Sequence, residues 1–233
     1  MKKMTIFVEG QTELYFVDRL LREIIDERHL QVVLIQASGG ARGARMLTVL
    51  QDSGRDGSRN YYIQIINCGT DNRVASDIRD NYDKLVSEGH SVVIGIRDVY
   101  PIPLTEIAKL RRGLHYKLKT IPMSVLFVLG VMEIEAWFLA EHTHFQRIHP
   151  DLEPNRINAK LGFNPSSDDM QMRTHPTEDL RNIYALENLA YNKTRNKVQR
   201  TIEVLDYADI YLSHRSKFPD VAMLMTKLDE FFM

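Results

Sequence analysis

Thr5-Ile6-Phe7-Val8-Glu9-Gly10 decides the fold: an apolar, β-rich run that ends on an acid and a glycine. Behind it Leu14, Val17, Leu21, Ile24 and Ile25 recur at helical spacing, so a strand turns into an amphipathic helix. Gln31 to Ala37, Tyr61 to Asn67, Ser91 to Asp98 and Met123 to Val131 read as four more strands. Val74, Ile78, Tyr82 and Leu85 mark a helix after the third. Strands that are apolar throughout suit a sheet covered on both faces, and strand-helix alternation implies right-handed βαβ units. The expectation is an α/β protein with a Rossmann-like, mainly parallel sheet over residues 1–145. Residues 146–233 carry prolines and two helical stripes, Val198-Ile202-Leu205 and Val221-Leu224-Leu228, and read as a helical C-terminal extension packed on that sheet.

The bulk numbers exclude several classes of function. Thirty basic residues against 31 acidic ones leave a net charge of -1, so no global field draws the chain to a polyanion, and nucleic acid would have to be held by local patches. The apolar run at the N-terminus is too short for a signal peptide or a membrane span, so no membrane partner is expected. The single cysteine, Cys68, excludes an internal disulfide and a cysteine-rich zinc site, which points to a reducing, cytoplasmic setting.

Acidic residues stand at or just past the strand ends: Glu9 closes the first strand, Thr5 to Glu9, Asp98 closes the fourth, and Glu133 and Glu135 follow the fifth. In a parallel sheet those ends share a rim, where ligands bind. Carboxylates brought together there would hold hard cations such as Mg2+ or Mn2+, which activate water and offset charge on a phosphodiester. Glu13, on the first helical turn, is a further candidate ligand, although negative charge there also serves the helix. Glu9 could equally cap that helix, and Asp98 could bond to local backbone before Pro101. Glu133 and Glu135 are expected on different sides of a helix start, so that at most one of them is a ligand.

Val8-Glu9-Gly10-Gln11-Thr12-Glu13 resembles the VEGxTE signature of TOPRIM domains, especially those of OLD-family nucleases. That family carries a glutamate on its first strand and an Asp-x-Asp pair at a later strand end. Asp98 resembles the first aspartate of the pair, and Tyr100 stands where the second is expected. Met132-Glu133-Ile134-Glu135-Ala136-Trp137-Phe138-Leu139-Ala140 is similar to the EAW(L/F)LA segment of small bacterial TOPRIM-like proteins, some of them associated with ATPases in phage defence. Ser216-Lys217-Phe218 resembles the ending of the same proteins. The resemblance implies Glu9, Asp98, Glu135 and Lys217 as catalytic residues, with Lys217 as the cation near the reacting phosphate. It also implies a partner ATPase, because the chain itself has no GxxxxGK[ST].

Positive charge is local. Ser38-Gly39-Gly40-Ala41-Arg42-Gly43-Ala44-Arg45 reads as a loop between a strand and a helix, where Gly39, Gly40, Arg42 and Arg45 could receive phosphate, or as a plain connector. Lys109, Arg111, Arg112, Lys117 and Lys119 surround Tyr116, and Lys193, Arg195, Lys197 and Arg200 follow Tyr191. Either run could track DNA or RNA, or be a solvated face. His142, His144 and His149 read as a solvent-facing loop. The function expected is a magnesium-dependent nuclease, an effector in antiviral defence, in which Glu9 could also act as general acid or base. The alternatives are a catalytically reduced regulatory subunit of an ATPase complex, favoured by Tyr100, and a phosphoryl or nucleotidyl transferase, which no dinucleotide fingerprint supports.

Overall fold

The computed structural model describes residues 1–40, 44–54, 59–191 and 195–233, with the side chains of 195–197 set aside. Its strands are β1 (Lys2–Val8), β2 (Leu30–Ser38), β3 (Met46–Asp52), β4 (Tyr61–Asn67), β5 (Val92–Asp98) and β6 (Ser124–Gly130). They form one six-stranded sheet in the order β3-β2-β4-β1-β5-β6. β1 runs parallel to β4 and β5, and β2 parallel to β4, while β3 is antiparallel to β2. At the far side the Ser124 N–H donates to Ser91 O (3.3 Å) and the Val99 N–H to Gly130 O (2.9 Å), so β6 runs in the direction of β5. The fold is thus α/β, a mostly parallel sheet flanked by helices, with a helical C-terminal region.

Three helices interleave with the strands, α1 (Gln11–Ile24), α2 (Asp71–Ser87) and α3 (Ile107–Leu114). After β6 come α4 (Glu135–Ala140), α5 (His144–Ile148), α6 (Pro154–Leu161), α7 (Pro176–Ala185), α8 (Arg195–Ile202), α9 (Tyr207–Leu212), α10 (His214–Lys217) and α11 (Pro219–Phe232). α1 buries Leu14, Val17 and Leu21 of the stripe that its spacing marks, together with Phe16 and Leu20, while Ile24 is half-buried and Ile25 lies past its end; α2 buries all of Val74, Ile78, Tyr82 and Leu85. Central β1 is covered throughout its last five residues, Met4 to Val8.

Two features differ from the sequence expectation. Among the described residues the glycine-rich segment is followed by β3 and not by a helix, so no helix N-terminus follows there to receive phosphate. All seven residues of β3 are exposed, and an edge strand wet on both faces shows neither the alternation nor the covered run by which strands are read. The compact units also break elsewhere than at residue 145. The first comprises Met1–Arg97, Thr105–Val128 and Thr226–Met233, and the second Asp98–Leu104 and Leu129–Met225. A change from strands to helices marks secondary structure, whereas compactness follows contacts. Within the first unit the end of α11 returns to the sheet, where Phe232 O accepts the Tyr61 hydroxyl (2.5 Å) and Phe231 O accepts Lys2 Nζ (3.2 Å). Among the described residues no helix is long and apolar enough to cross a membrane.

Candidate metal centre

In the second unit, β5 ends at Asp98 and β6 ends at Gly130, and the chain after each is knitted to the other. The Val99 N–H donates to Gly130 O (2.9 Å), the Tyr100 N–H to Met132 O (2.8 Å) and the Ile134 N–H to Asp98 Oδ1 (2.8 Å). Met132 takes a left-handed conformation, φ 58°, to make the turn. A branched or long side chain there costs on the order of 1 kcal/mol, which the surrounding bonds must offset. The turn is what brings Glu133, just before α4, and Glu135, its first residue, to Asp98.

Each of the three carboxylates has an oxygen within 4.8 Å of the others. This corrects the expectation that Glu133 and Glu135 diverge: only Glu135 is helical, so helical spacing does not govern the pair. Both oxygens of Glu133 are held by Thr177, which donates its N–H (2.8 Å) and its hydroxyl (2.7 Å). Glu135 is fully buried, and its Oε1 accepts the Tyr191 hydroxyl (2.9 Å). Asp98 is also buried, and its Oδ1 accepts a backbone N–H from 36 positions away, that of Ile134. Two negative charges at this separation repel by on the order of 3 kcal/mol at an effective dielectric of about 20. A divalent cation offsets that repulsion, and an all-oxygen donor set fits magnesium or manganese.

The other sequence candidates are placed as follows. Glu9 lies in the first unit, half-buried, one residue past β1, whose Val8 is in register with Asn67 and Ile96. The three-carboxylate cluster is built from the second unit alone. Glu13 is buried, and its Oε2 accepts the Gly10 N–H (2.9 Å), which caps α1. Lys217, exposed at the end of α10, lines an open cavity of about 310 Å³ with Ala140, Asp168, Asp169 and Phe218. Arg45 is committed: its guanidinium pairs with Asp77 (2.6 Å) and donates to Gly39 O (3.0 Å) and Cys68 O (2.6 Å). Gly39 has φ 77° and a Cβ there would lie 2.8 Å from Ala44 O, so the backbone conformation at this position requires glycine. Arg42 lies outside the described residues. Arg111 is half-buried and Arg112 exposed on α3, and two of the run's lysines are paired with acids, Lys109 on α3 with Glu106 and Lys119 beyond it with Asp83. Arg195 and Lys197 lie on the first turn of α8.

Cys68 is buried beside Arg45 and Asp77. Burial pushes its thiol well above the ordinary range, and the Asp77 carboxylate pushes it further. Native protein is therefore expected to react with a thiol reagent such as DTNB far more slowly than urea-unfolded protein. Equal rates in the two states would contradict this placement.

Sequence reasoning missed a second polar centre. Of the three histidines expected in a solvent-facing loop, His142 and His149 are half-buried, whereas His144 on α5 is fully buried. Its Nδ1 lies 2.5 Å from Glu141 O and its Nε2 3.3 Å from the Tyr184 hydroxyl, which is itself hydrogen-bonded to the Thr201 hydroxyl (2.7 Å). Glu141, also fully buried, collects the Thr143 N–H and hydroxyl, Arg147 Nη2 (3.0 Å) and the Asp206 N–H (3.1 Å). A further group, His149, Asp151 and Glu187, also lies within 4.8 Å. Arg156 already pairs with Glu187 there, so that group is an ion-pair cluster.

Residues 8–229 match the family described as domain of unknown function (DUF4276). No curated protein and no solved structure matches the chain.

Proposed function

We propose that this chain, which belongs to the DUF4276 family, is a divalent-metal-dependent phosphodiesterase that cuts DNA or RNA. The observation that carries this reading is the convergence of Asp98 with Glu133 and Glu135, carboxylates from two segments whose oxygens approach within 4.8 Å. Asp98, Glu133 and Glu135 would hold magnesium or manganese. Such an ion supplies a Lewis acid for the phosphodiester and favours ionisation of water. The protein's own part is orientation: Ile134 N–H fixes Asp98, Thr177 fixes Glu133 and Tyr191 fixes Glu135, each leaving its carboxylate on the cluster. Glu9, as a further ligand or a general acid or base, and Lys217, as the cation near the phosphate, enter through the resemblance of their segments to TOPRIM nucleases. The same resemblance extends the proposal to an effector of antiviral defence controlled by a separate ATPase.

The test is cleavage of a panel of single- and double-stranded DNA and RNA by purified protein in manganese or magnesium. Asp98→Asn and Glu135→Gln are each expected to lower the rate by at least about tenfold while circular dichroism stays unchanged. Parent activity that persists in EDTA, or in both variants, sinks the reading. Manganese binding in calorimetry without cleavage of any substrate favours the regulatory-subunit alternative. Tyr100, where a second aspartate is expected, is the specific observation behind that alternative.

A further inference from the structure

The chain beyond Asp98 reads Val99-Tyr100-Pro101-Ile102-Pro103-Leu104, six residues without a charge. Much of it faces solvent: Tyr100 is 44% exposed and Leu104 37%, and Pro101 and Pro103 are exposed as well. Tyr100 is two residues from Asp98, and its N–H is bonded to Met132 O, next to Glu133. Its ring meets the exposed ring of His175 edge-on, with centroids 5.5 Å apart and planes at 72°. His175 in turn is two residues before Thr177, which holds both oxygens of Glu133. The backbone segments that set the carboxylates therefore also set two exposed rings beside them.

That juxtaposition has a chemical consequence. Carboxylates repel a phosphate backbone until a cation intervenes, and an uncharged lip offers a phosphate nothing. A lip of one tyrosine, a histidine ring, prolines and a leucine does offer an apolar face to a flat ring. A duplex keeps its bases stacked inside, whereas an unpaired base has a free π-face, and stacking on an aromatic side chain is tolerant of base identity. The geometry points to a base-binding subsite formed by Tyr100 and His175, which takes an unpaired nucleobase and makes single-stranded nucleic acid the substrate class. This rests on the phosphodiesterase reading, and it deepens that reading by naming what lies next to the scissile phosphate.

Binding can be measured apart from chemistry. A short fluorescein-labelled oligothymidylate and a blunt duplex are titrated with the full-length protein, in calcium and in EDTA, and anisotropy is followed. The parent is expected to prefer the single strand, and Tyr100→Ala to weaken that binding about tenfold or more, with Tyr100→Trp staying within about threefold of the parent. Because Tyr100 is only partly covered, the thermal midpoint of Tyr100→Ala should stay within a few degrees of the parent's, and Tyr100→Trp keeps an aromatic ring in its place. A parent that binds neither probe, binds the duplex as well as the single strand, or binds the single strand equally well after Tyr100→Ala overturns the inference. Tyr100-dependent binding with no manganese-dependent cleavage would instead remove the enzyme reading and leave this subsite standing.

Discussion

Glu141→Ala is expected to destabilise the protein by about 3–5 kcal/mol, read as a lower midpoint in urea unfolding, because a buried, paired charge is lost and its partners stay behind. Glu141 joins the end of α4 to α5 through Arg147 and to the turn before α9 through the Asp206 N–H, and it holds Thr143 as well. Alanine leaves the Asp206 N–H and the Thr143 N–H without their acceptor, and each such loss costs about 1–3 kcal/mol. Glu141→Gln keeps the shape and two of the bonds, and should cost less than alanine. An unchanged midpoint for Glu141→Ala would show that water replaces the carboxylate without penalty.

The same residue gives stability a pH dependence with a definite sign. Burial alone would raise the Glu141 carboxyl, but the hydrogen bond and charge of His144, the Thr143 hydroxyl and the Asp206 N–H outweigh it and bring the group from 4.5 down to about 2. A carboxyl depressed in the folded state stabilises fully above its unfolded value, and the contribution is lost as pH falls through the folded one. Stability should therefore decline from pH 4.5 toward about 2, and Glu141→Gln should flatten that part of the profile.

Gly130→Ala is the second large effect. A Cβ at Gly130 would lie 2.7 Å from Asp98 Oδ1, 2.8 Å from the Ile134 nitrogen and 3.1 Å from the Ile134 Cα. Two of these neighbours are backbone, which cannot swing aside as a side-chain tip can. The third is the carboxylate that the Ile134 N–H orients. Overpacking costs about 1–3 kcal/mol and a hydrogen bond to a charged group about 1.5–3 kcal/mol, so a loss of roughly 3 kcal/mol is expected. Manganese affinity should fall alongside stability, because the clash pushes Asp98 off its anchor. If calorimetry on folded Gly130→Ala gave the parent's affinity for manganese, the link between this turn and the cluster would be broken.

The sheet was legible because its signal is local. Ile6, Phe7 and Val8 announce their burial as a continuous apolar run and Val74-Ile78-Tyr82-Leu85 by helical spacing, and all of them are buried. Asp98 could be singled out as an acid ending a covered strand. Its partners could not be read in the same way: Thr177 lies 44 positions from Glu133 and Tyr191 lies 56 from Glu135, with nothing in either neighbourhood to mark the meeting. Glu133 and Glu135 were misjudged as a diverging helical pair because the left-handed Met132 is invisible to a helical-wheel argument. His144 looked like loop since a buried polar network has no periodicity. Its burial depends on partners as distant as Tyr184 and Thr201.

The order in which the chain visits its two units has a bearing on how the protein can be altered. It leaves the first unit after Arg97, comes back at Thr105, leaves again after Val128 and returns for good at Thr226. The second unit is thus two insertions, a short one and a long one, hung from the ends of neighbouring strands of a continuous scaffold. No single truncation point can release either unit whole, and a fragment stopped at residue 145 would lack the last turns of α11. Exchange of parts is a different matter. Residues 129–225 form a cassette with both ends on one scaffold, but a graft of that cassette alone would leave Asp98 behind, and with it one of the three carboxylates. Recombination that preserved the centre would have to carry residues 98–104 along, so the two insertions are bound to be inherited as a pair.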